Sequence, residues 1–399
     1  MSTVQPLDGV RVLDLGTFIA GPFCATVLGE FGADVIKVER PDGGDHLRQF
    51  GTESECGDTF VWMSEARNKR SVTLNLATEA GRDVLRRLIA AADVVVENFR
   101  PGVMEAWGLG PDEIAAINPR TILVRISAYG QTGPNRDLPG FARIAHGFSG
   151  LAYLAGEPGR TPVTPGSTSL ADYVTGLYGA IGALLALRAR EQTGTGQVVD
   201  LALYETMFRL LDELAPVFQR LGFVRERMGA DTVNVVPHGH FPCKDGSYVA
   251  IACSHDGMFA RLADAMEQPE LATPERFGRK DARLRDREQV NELVAAWTSS
   301  HTRDEVLDRC NAAGAAAGPL HSIADIFADP QYAHRGTITT AESRIGPLAV
   351  PTTLPTLSGT PGAIRSLGPA LGADTDHVLA ELLHLSSEEL AALHVDGVI

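Results

Sequence analysis

Apolar and polar positions alternate along this chain at two different periods. Short runs rich in Val, Ile and Leu read as strands, and longer stretches with an apolar stripe read as helices. Val10-Arg-Val-Leu-Asp-Leu-Gly16 is the first such strand. Residues 17–31 follow as a turn and a helix, with Pro22 suited to the first turn. Gly32 ends that helix, and 33–39 form a second strand. Strands at 71–76, 93–99 and 121–127 and a helix at 79–91 continue the pattern. Such alternation predicts an α/β fold, a mostly parallel sheet with helices on both faces. A last strand, 197–203, leads into a long amphipathic helix, 204–221, that Pro216 should kink. Residues 222–228 read as a linker, and 247–253 begin a new α/β block with helices near 258–266, 288–299 and 303–313. The expected division is a large domain from 1–225 and 331–399 and a small one from 226–330. Residues 347–369, rich in Pro, Gly and Thr, read as extended loop, before a closing helix pair at 373–383 and 387–393.

One stretch departs from amphipathic patterning. From Tyr173 to Leu187 the chain is apolar on nearly every face, which predicts a buried helix. Gly176, Gly179 and Gly182 recur at every third position. They cost helix propensity, so a neighbour must pack closely there. The apolar run is too short to span a bilayer, which needs about 20 residues. The small polar run Gly166-Ser-Thr-Ser169 leads into a single acid, Asp172. An Asp at this place is a favoured N-cap. It is also an anion stabilised by the helix dipole, as a carboxylate nucleophile must be.

Composition narrows the function. The 399 residues carry a formal charge of −15, which argues against nucleic acid as a partner. The N-terminal residues show no secretory pattern, and the five cysteines lack any Cys-x-x-Cys pair. A reducing cytoplasm is the expected compartment, with no structural zinc and no disulfide framework. The turn Gly16-Thr-Phe-Ile-Ala-Gly21 fits neither the dinucleotide fingerprint nor a P-loop, although Glu39 stands where a ribose-binding acid would. Arg40 and Arg100 follow predicted strands, at the sheet end where an anionic ligand would lie.

Several stretches together resemble the family III CoA-transferases, the group that includes formyl-CoA and carnitine CoA-transferases. They are Leu7-Asp-Gly-Val-Arg-Val-Leu-Asp-Leu15, Ala20-Gly-Pro22, Gly32-Ala-Asp-Val-Ile-Lys-Val-Glu-Arg40, Asn68-Lys-Arg-Ser71 and Val96-Glu-Asn-Phe-Arg-Pro-Gly102. Ser149-Gly-Leu-Ala-Tyr-Leu-Ala-Gly156, Leu170-Ala-Asp172, Thr193-Gly-Thr-Gly-Gln-Val-Val-Asp200 and Leu371-Gly-Ala-Asp-Thr-Asp-His-Val-Leu379 complete an ordered set spanning almost the whole chain.

The resemblance implies a Rossmann-like large domain, a smaller inserted domain and two subunits interlocked as a homodimer. It places the nucleophilic aspartate on Asp172. It places CoA-binding positions on Ile19, Ala20, Arg40, Leu74, Asn75, Leu76, Ala77, Asn98, Phe99 and Arg100. The substrates it implies are an acyl-CoA and a small carboxylic acid, with coenzyme A entering as a substrate and no bound metal or permanent cofactor. Three departures set formate and oxalate aside. Ala106 and Ala142 replace a basic and an acidic residue of formyl-CoA transferase, and Val235-Val-Pro-His-Gly-His-Phe241 stands where that enzyme has a glycine-rich lid.

Arg143 offers a bidentate partner for a second carboxylate of the acyl group, which points to succinyl-CoA as donor and a C4–C5 diacid or sulfinate as acceptor. It could equally form a structural salt bridge. His146 matches the place of the acid–base histidine in the related α-methylacyl-CoA racemases, so a His/Asp racemase is an alternative. A buried structural histidine is the other reading of that residue. His238 and His240 share a face if their segment is extended, where they would line the acyl pocket, lie in a loop or start a metal site lacking a third ligand. A non-catalytic CoA- or nucleotide-binding protein is the remaining class.

Overall fold

The computed structural model describes residues 4–164, 166 and 168–399. Pro165 and Ser167, in the polar run ahead of the long helix, lie outside the described residues. Six strands form the main sheet: β1 (Arg11–Asp14), β2 (Asp34–Glu39), β3 (Lys69–Thr73), β4 (Val94–Glu97), β5 (Ile122–Ser127) and β6 (Val198–Ala202). They lie in the order β3-β2-β1-β4-β5-β6, and every neighbouring pair is parallel. This is the doubly wound α/β arrangement expected from the alternation.

Strand periodicity decides which helix covers which face. Leu13, Ile36, Val95 and Leu123 point to one side and pack with the helix Glu79–Ala90 and the C-terminal helices. Val12, Val35, Val94, Val124 and Ile126 point to the other, against the first helix, Ala20–Glu30, and the long helix, Leu170–Thr193. A sheet buried on both faces explains why its strands read as nearly continuous apolar runs.

The long helix runs 24 residues, so by length and composition it could cross a membrane. The expectation that it is too short for a bilayer therefore does not hold. Its glycines give it another role. A Cβ on Gly176 would lie 2.8 Å from the Ala20 carbonyl oxygen, and one on Gly179 would lie 3.0 Å from Cys24 Sγ. Gly182 makes the same kind of approach to Val199 of β6, at 2.6 Å. The first helix and β6 can close on this stripe because it has no side chains.

Chain order is not spatial order. The C-terminal segment returns to the sheet: Ser71 N–H donates to Asp374 at 2.9 Å, Asn75 N–H to Val398 O at 2.8 Å and Asn68 N–H to Ser366 O at 3.0 Å. The larger compact unit thus comprises residues 1–151, 166–215 and 334–399, and the smaller one 152–165 and 216–333. Compared with the expected 226–330, the smaller unit begins earlier, ends slightly later and takes in an additional segment. Within it, β7 (His238–Pro242), β8 (Tyr248–Ala252) and β9 (Ala317–Pro319) form an antiparallel sheet. The helices Asp256–Ala265, Arg287–Ser299 and Arg303–Ala313 cover that sheet around Phe259, Leu262 and Val306.

Three local expectations change. The single helix 204–221 is two, Leu203–Arg209 and Leu214–Leu221, and Pro216 sits in the first turn of the second rather than at a kink. The stretch read as loop from 347 begins inside a hairpin, Ile338–Ser343 paired with Gly346–Pro351. Asp172 is not the N-cap. Ser169 holds that place, and Asp172 lies in the first turn, its N–H donating to Ser169 O at 2.9 Å.

Candidate active site

The strand order reverses between β1 and β4, and in such sheets a crevice opens at the carboxyl end of that pair. Two loops flank it. The turn after β1 carries Gly16 to Ile19, and the loop after β4 carries Asn98, Phe99 and Arg100. Asn98 ties them together: its Oδ1 accepts Thr17 N–H at 2.7 Å, and its Nδ2 donates to Thr17 O at 2.8 Å. The side chain of Asn98 is therefore spent on the protein backbone.

A buried ionic cluster fixes the turn from below. Asp14 Oδ1 accepts Gly16 N–H at 3.0 Å, and Asp45 Oδ1 accepts Phe18 N–H at 3.0 Å and Leu47 N–H at 2.8 Å. Lys37 pairs with Asp45 at 2.9 Å and donates to Gly16 O, while Lys69 pairs with Asp14 at 2.8 Å. This scaffold holds Phe18 at φ 60°, a left-handed conformation that side chains disfavour. His46 stacks on the Phe18 ring, with centroids 5.1 Å apart.

Two cavities meet at this turn. The first, about 270 Å³, is mainly apolar, with walls from Leu15, Val38, Leu74, Leu76, Ala77, Phe99 and Trp107. Asn75 and the exposed Arg40 also line it. The second, about 300 Å³, holds Asp172 together with Ile19, Ala20, Asn98, Phe99, Arg100, Ser127, Phe141 and Leu203. Thr17, His46 and Phe99 line both, so the cavities form a cleft leading from Arg40 to Asp172. Every expected position of the CoA set thus lines one of the two.

Asp172 reaches the cavity because of the glycine stripe. Gly176, one turn further along, lets the long helix touch the first helix at Ala20, so the amino ends of both helices flank the cavity. Phe23 N–H donates to Ile19 O at 2.7 Å and Pro22 has no N–H, which leaves the Ala20 and Gly21 amides without intrahelical acceptors. Asp172 is partly buried, and burial pushes its carboxyl up to about 7.

The remaining expected residues lie elsewhere. Arg143 and His146 stand on the helix Ala142–Phe148. Arg143 is exposed, and neither residue is among those that line the cleft. His146 is only 1% exposed, and its Nε2 accepts the Ala171 N–H at 3.1 Å. Burial, aided by the charge of Arg143, pushes its imidazole down, toward the neutral form that such an acceptor requires. It thus anchors the start of the long helix, one residue before Asp172. His238 and His240 share a face of β7 in the smaller unit. Among the described residues, no three His, Cys, Asp or Glu side chains converge to hold a metal ion.

Sequence reasoning passed over Thr17, Phe18, His46, Trp107 and Phe141. The one local signal was Gly44-Asp-His46, where an acid able to accept turn amides precedes an aromatic ring.

A family model described as CoA-transferase family III matches residues 7–375. Two subunits of succinyl-CoA–L-malate CoA-transferase from Chloroflexus aurantiacus are similar over their length. The β subunit is 56% identical, with 100% of this chain and 99% of that one covered. The α subunit is 52% identical, with 99% and 92% covered. Succinyl-CoA:glutarate CoA-transferase from Homo sapiens is 32% identical, with 100% and 91% covered. The crystal structure of a CAIB/BAIF family protein from Brucella suis matches with a TM-score of 0.84 at 36% identity, covering 95% of this chain and 99% of that one.

Proposed function

The chain belongs to CoA-transferase family III, and on that premise we propose that it moves CoA from succinyl-CoA to a C4–C5 dicarboxylic acid or sulfinate analogue, with Asp172 as covalent nucleophile. The observation that carries the reading is the cleft itself: an apolar groove with Arg40 at its rim, ending at a partly buried carboxyl. Malate is the first acceptor to try, because relatives 56% and 52% identical are named for it.

The chemistry then runs through four additions. An Asp172 oxygen attacks the thioester carbon, the C–S bond breaks, and CoA thiolate leaves a mixed anhydride. The thiolate attacks the aspartyl carbonyl and expels succinate, giving an aspartyl-CoA thioester. The acceptor's carboxylate attacks that thioester and again releases thiolate. The thiolate attacks the acceptor's carbonyl, which restores the Asp172 carboxylate and delivers the new acyl-CoA. Splitting one exchange into these steps lowers each barrier. The thioester's energy is retained, so the steps call for neither ATP nor a metal.

Each addition creates an oxyanion that preorganised donors must meet. Ile19 and Ala20 line the cavity at the positive end of the first helix, and in this reading their amides are the donors. Apolar walls from Ile126, Ala128, Phe141 and Leu203 keep water from the anhydride. Arg40, Asn75 to Ala77 and the loop 98–100 take the CoA moiety. A racemase would need an acid–base partner opposite Asp172, and His146 is instead engaged with Ala171 N–H. Two copies form an interlocked homodimer in this reading, supported by the exposed apolar face of the long helix at Leu177, Ile181, Leu184 and Leu185.

The test is label exchange. Succinyl-CoA is incubated with isotope-labelled malate, succinate, glutarate and itaconate, and the acyl-CoA pool is followed by mass spectrometry. Label in a thioester that vanishes with Asp172→Asn is the expected result. Transfer that survives the substitution would refute the nucleophile, and no transfer to any diacid would refute the substrate class.

A further inference from the structure

The loop 98–102 brings Asn98, Phe99 and Arg100 to the cleft, yet the group that holds its ends lies outside both cavities. Arg125, on β5, has a side chain only 4% exposed. Its Nε donates to Glu97 Oε1 at 2.7 Å, just before the loop. Its Nη1 and Nη2 donate to Glu105 Oε1 and Oε2 at 2.6 and 3.1 Å, in the short helix Val103–Ala106 just after the loop. The second oxygen of Glu97 accepts Phe99 N–H at 2.7 Å. One guanidinium therefore grips both ends of the segment, and the gripped Glu97 carboxylate fixes the Phe99 amide near its start.

We propose that Arg125, through Glu97 and Glu105, is a positioning residue for acyl-CoA binding, setting the loop 98–102 and through it the turn that carries Ile19 and Ala20. The proposal rests on the reading of the cleft as the acyl-CoA site. The second step is made by Asn98, which holds both polar groups of the Thr17 backbone. Only a planar fork spans two carboxylates in this way; a lysine ammonium keeps the charge and loses the geometry. The loop contributes Phe99 to both cavities, so a small shift there moves the wall they share.

Glu105 provides the cleanest probe, because its side chain is 43% exposed and its removal leaves Arg125 paired with Glu97. Three variants are compared with the wild type: Glu105→Ala, Arg125→Lys and Ala77→Trp, which puts a ring into the first cavity. For each, calorimetry measures affinity for a thioether analogue of succinyl-CoA, in which a methylene replaces the thioester carbonyl. Initial rates give kcat and both KM values, and thermal melts give Tm. Glu105→Ala is expected to weaken the analogue about five- to twenty-fold and to raise KM for succinyl-CoA alike, with Tm and KM for the free acid held. Arg125→Lys acts in the same direction and more strongly, and Ala77→Trp abolishes analogue binding. If Ala77→Trp blocks binding but Glu105→Ala and Arg125→Lys bind as wild type, the positioning role is wrong and the cleft reading stands. If affinity falls only in step with Tm, or KM for both substrates rises equally, the role is merely structural. If Ala77→Trp binds as wild type, the cleft reading fails and takes this inference with it.

Discussion

The Asp172 carboxyl sits at about 7 because burial penalises its anion, so near neutral pH it is divided between its two forms. Only the anion attacks. The value of kcat/KM for succinyl-CoA should therefore rise about tenfold per pH unit below 7 and level off above it, as a pH–rate profile would read. The same shift governs stability. The folded value lies above the ordinary 3.8, so the contribution of this group to folding is fully present below about 4 and is lost as pH rises through 7. Asp172→Asn should remove that dependence. Its Tm should match the wild type near pH 4, exceed it increasingly up to pH 7, and hold a gain of about 2–5 °C above. Turnover should fall to background at every pH. A variant that is both more stable and inactive is the mark of a carboxylate kept in an unfavourable place for its chemistry.

At the level of the element, the long helix depends on its missing side chains. Gly176→Ala places a methyl 2.8 Å from Ala20 O and 3.0 Å from Phe23 Cδ1, and backbone cannot yield as a flexible side chain can. A loss of about 1–3 kcal/mol is expected in denaturant melts, with a fall in kcat because the displaced turn carries Asp172. Gly147→Ala is the control: an added Cβ there meets nothing within 4 Å, so it should be neutral or stabilising by up to about 1 kcal/mol. The three-residue glycine spacing made this stripe legible, as alternating apolar runs made the six strands legible. Spacing could not say that Ser169 rather than Asp172 is the cap, since Ser169 makes no side-chain cap bond that would distinguish it. Nor could periodicity find Thr17, His46 or Phe141. Thr17 is placed by Asn98 taking its amide across 81 positions, and His46 and Phe141 by their rings packing on Phe18, whose amide Asp45 holds; contacts of that kind leave no periodic pattern. His146 was visible as a residue but not as an anchor, because its partner is a backbone amide 25 positions away.

For the whole molecule, the exposed face of the long helix is the feature that a single copy leaves unexplained. The helix expected to be buried is so only on its glycine and alanine face; Ile181 is 51% and Leu185 66% exposed on the other, beside Leu177 and Leu184. Light scattering should give about twice the 42.5 kDa chain mass, and Ile181→Glu with Leu185→Glu should lower it toward one chain. A mass of one chain for the wild type would remove the homodimer from the proposal. The closure of the sheet by the C-terminal segment has a different kind of consequence, in time. Ser71 and its partner Asp374 are 303 residues apart. At synthesis rates of roughly 5–20 residues per second, β3 emerges about 15–60 s before the segment that completes its hydrogen bonds. The smaller unit, with its own core, is synthesised within that wait and is complete at residue 333, roughly 2–8 s before Asp374 is added, so it can fold first. The nascent larger unit must meanwhile keep an unfinished apolar face from other chains, which makes the order of synthesis the period of greatest exposure to chaperones and to misassembly.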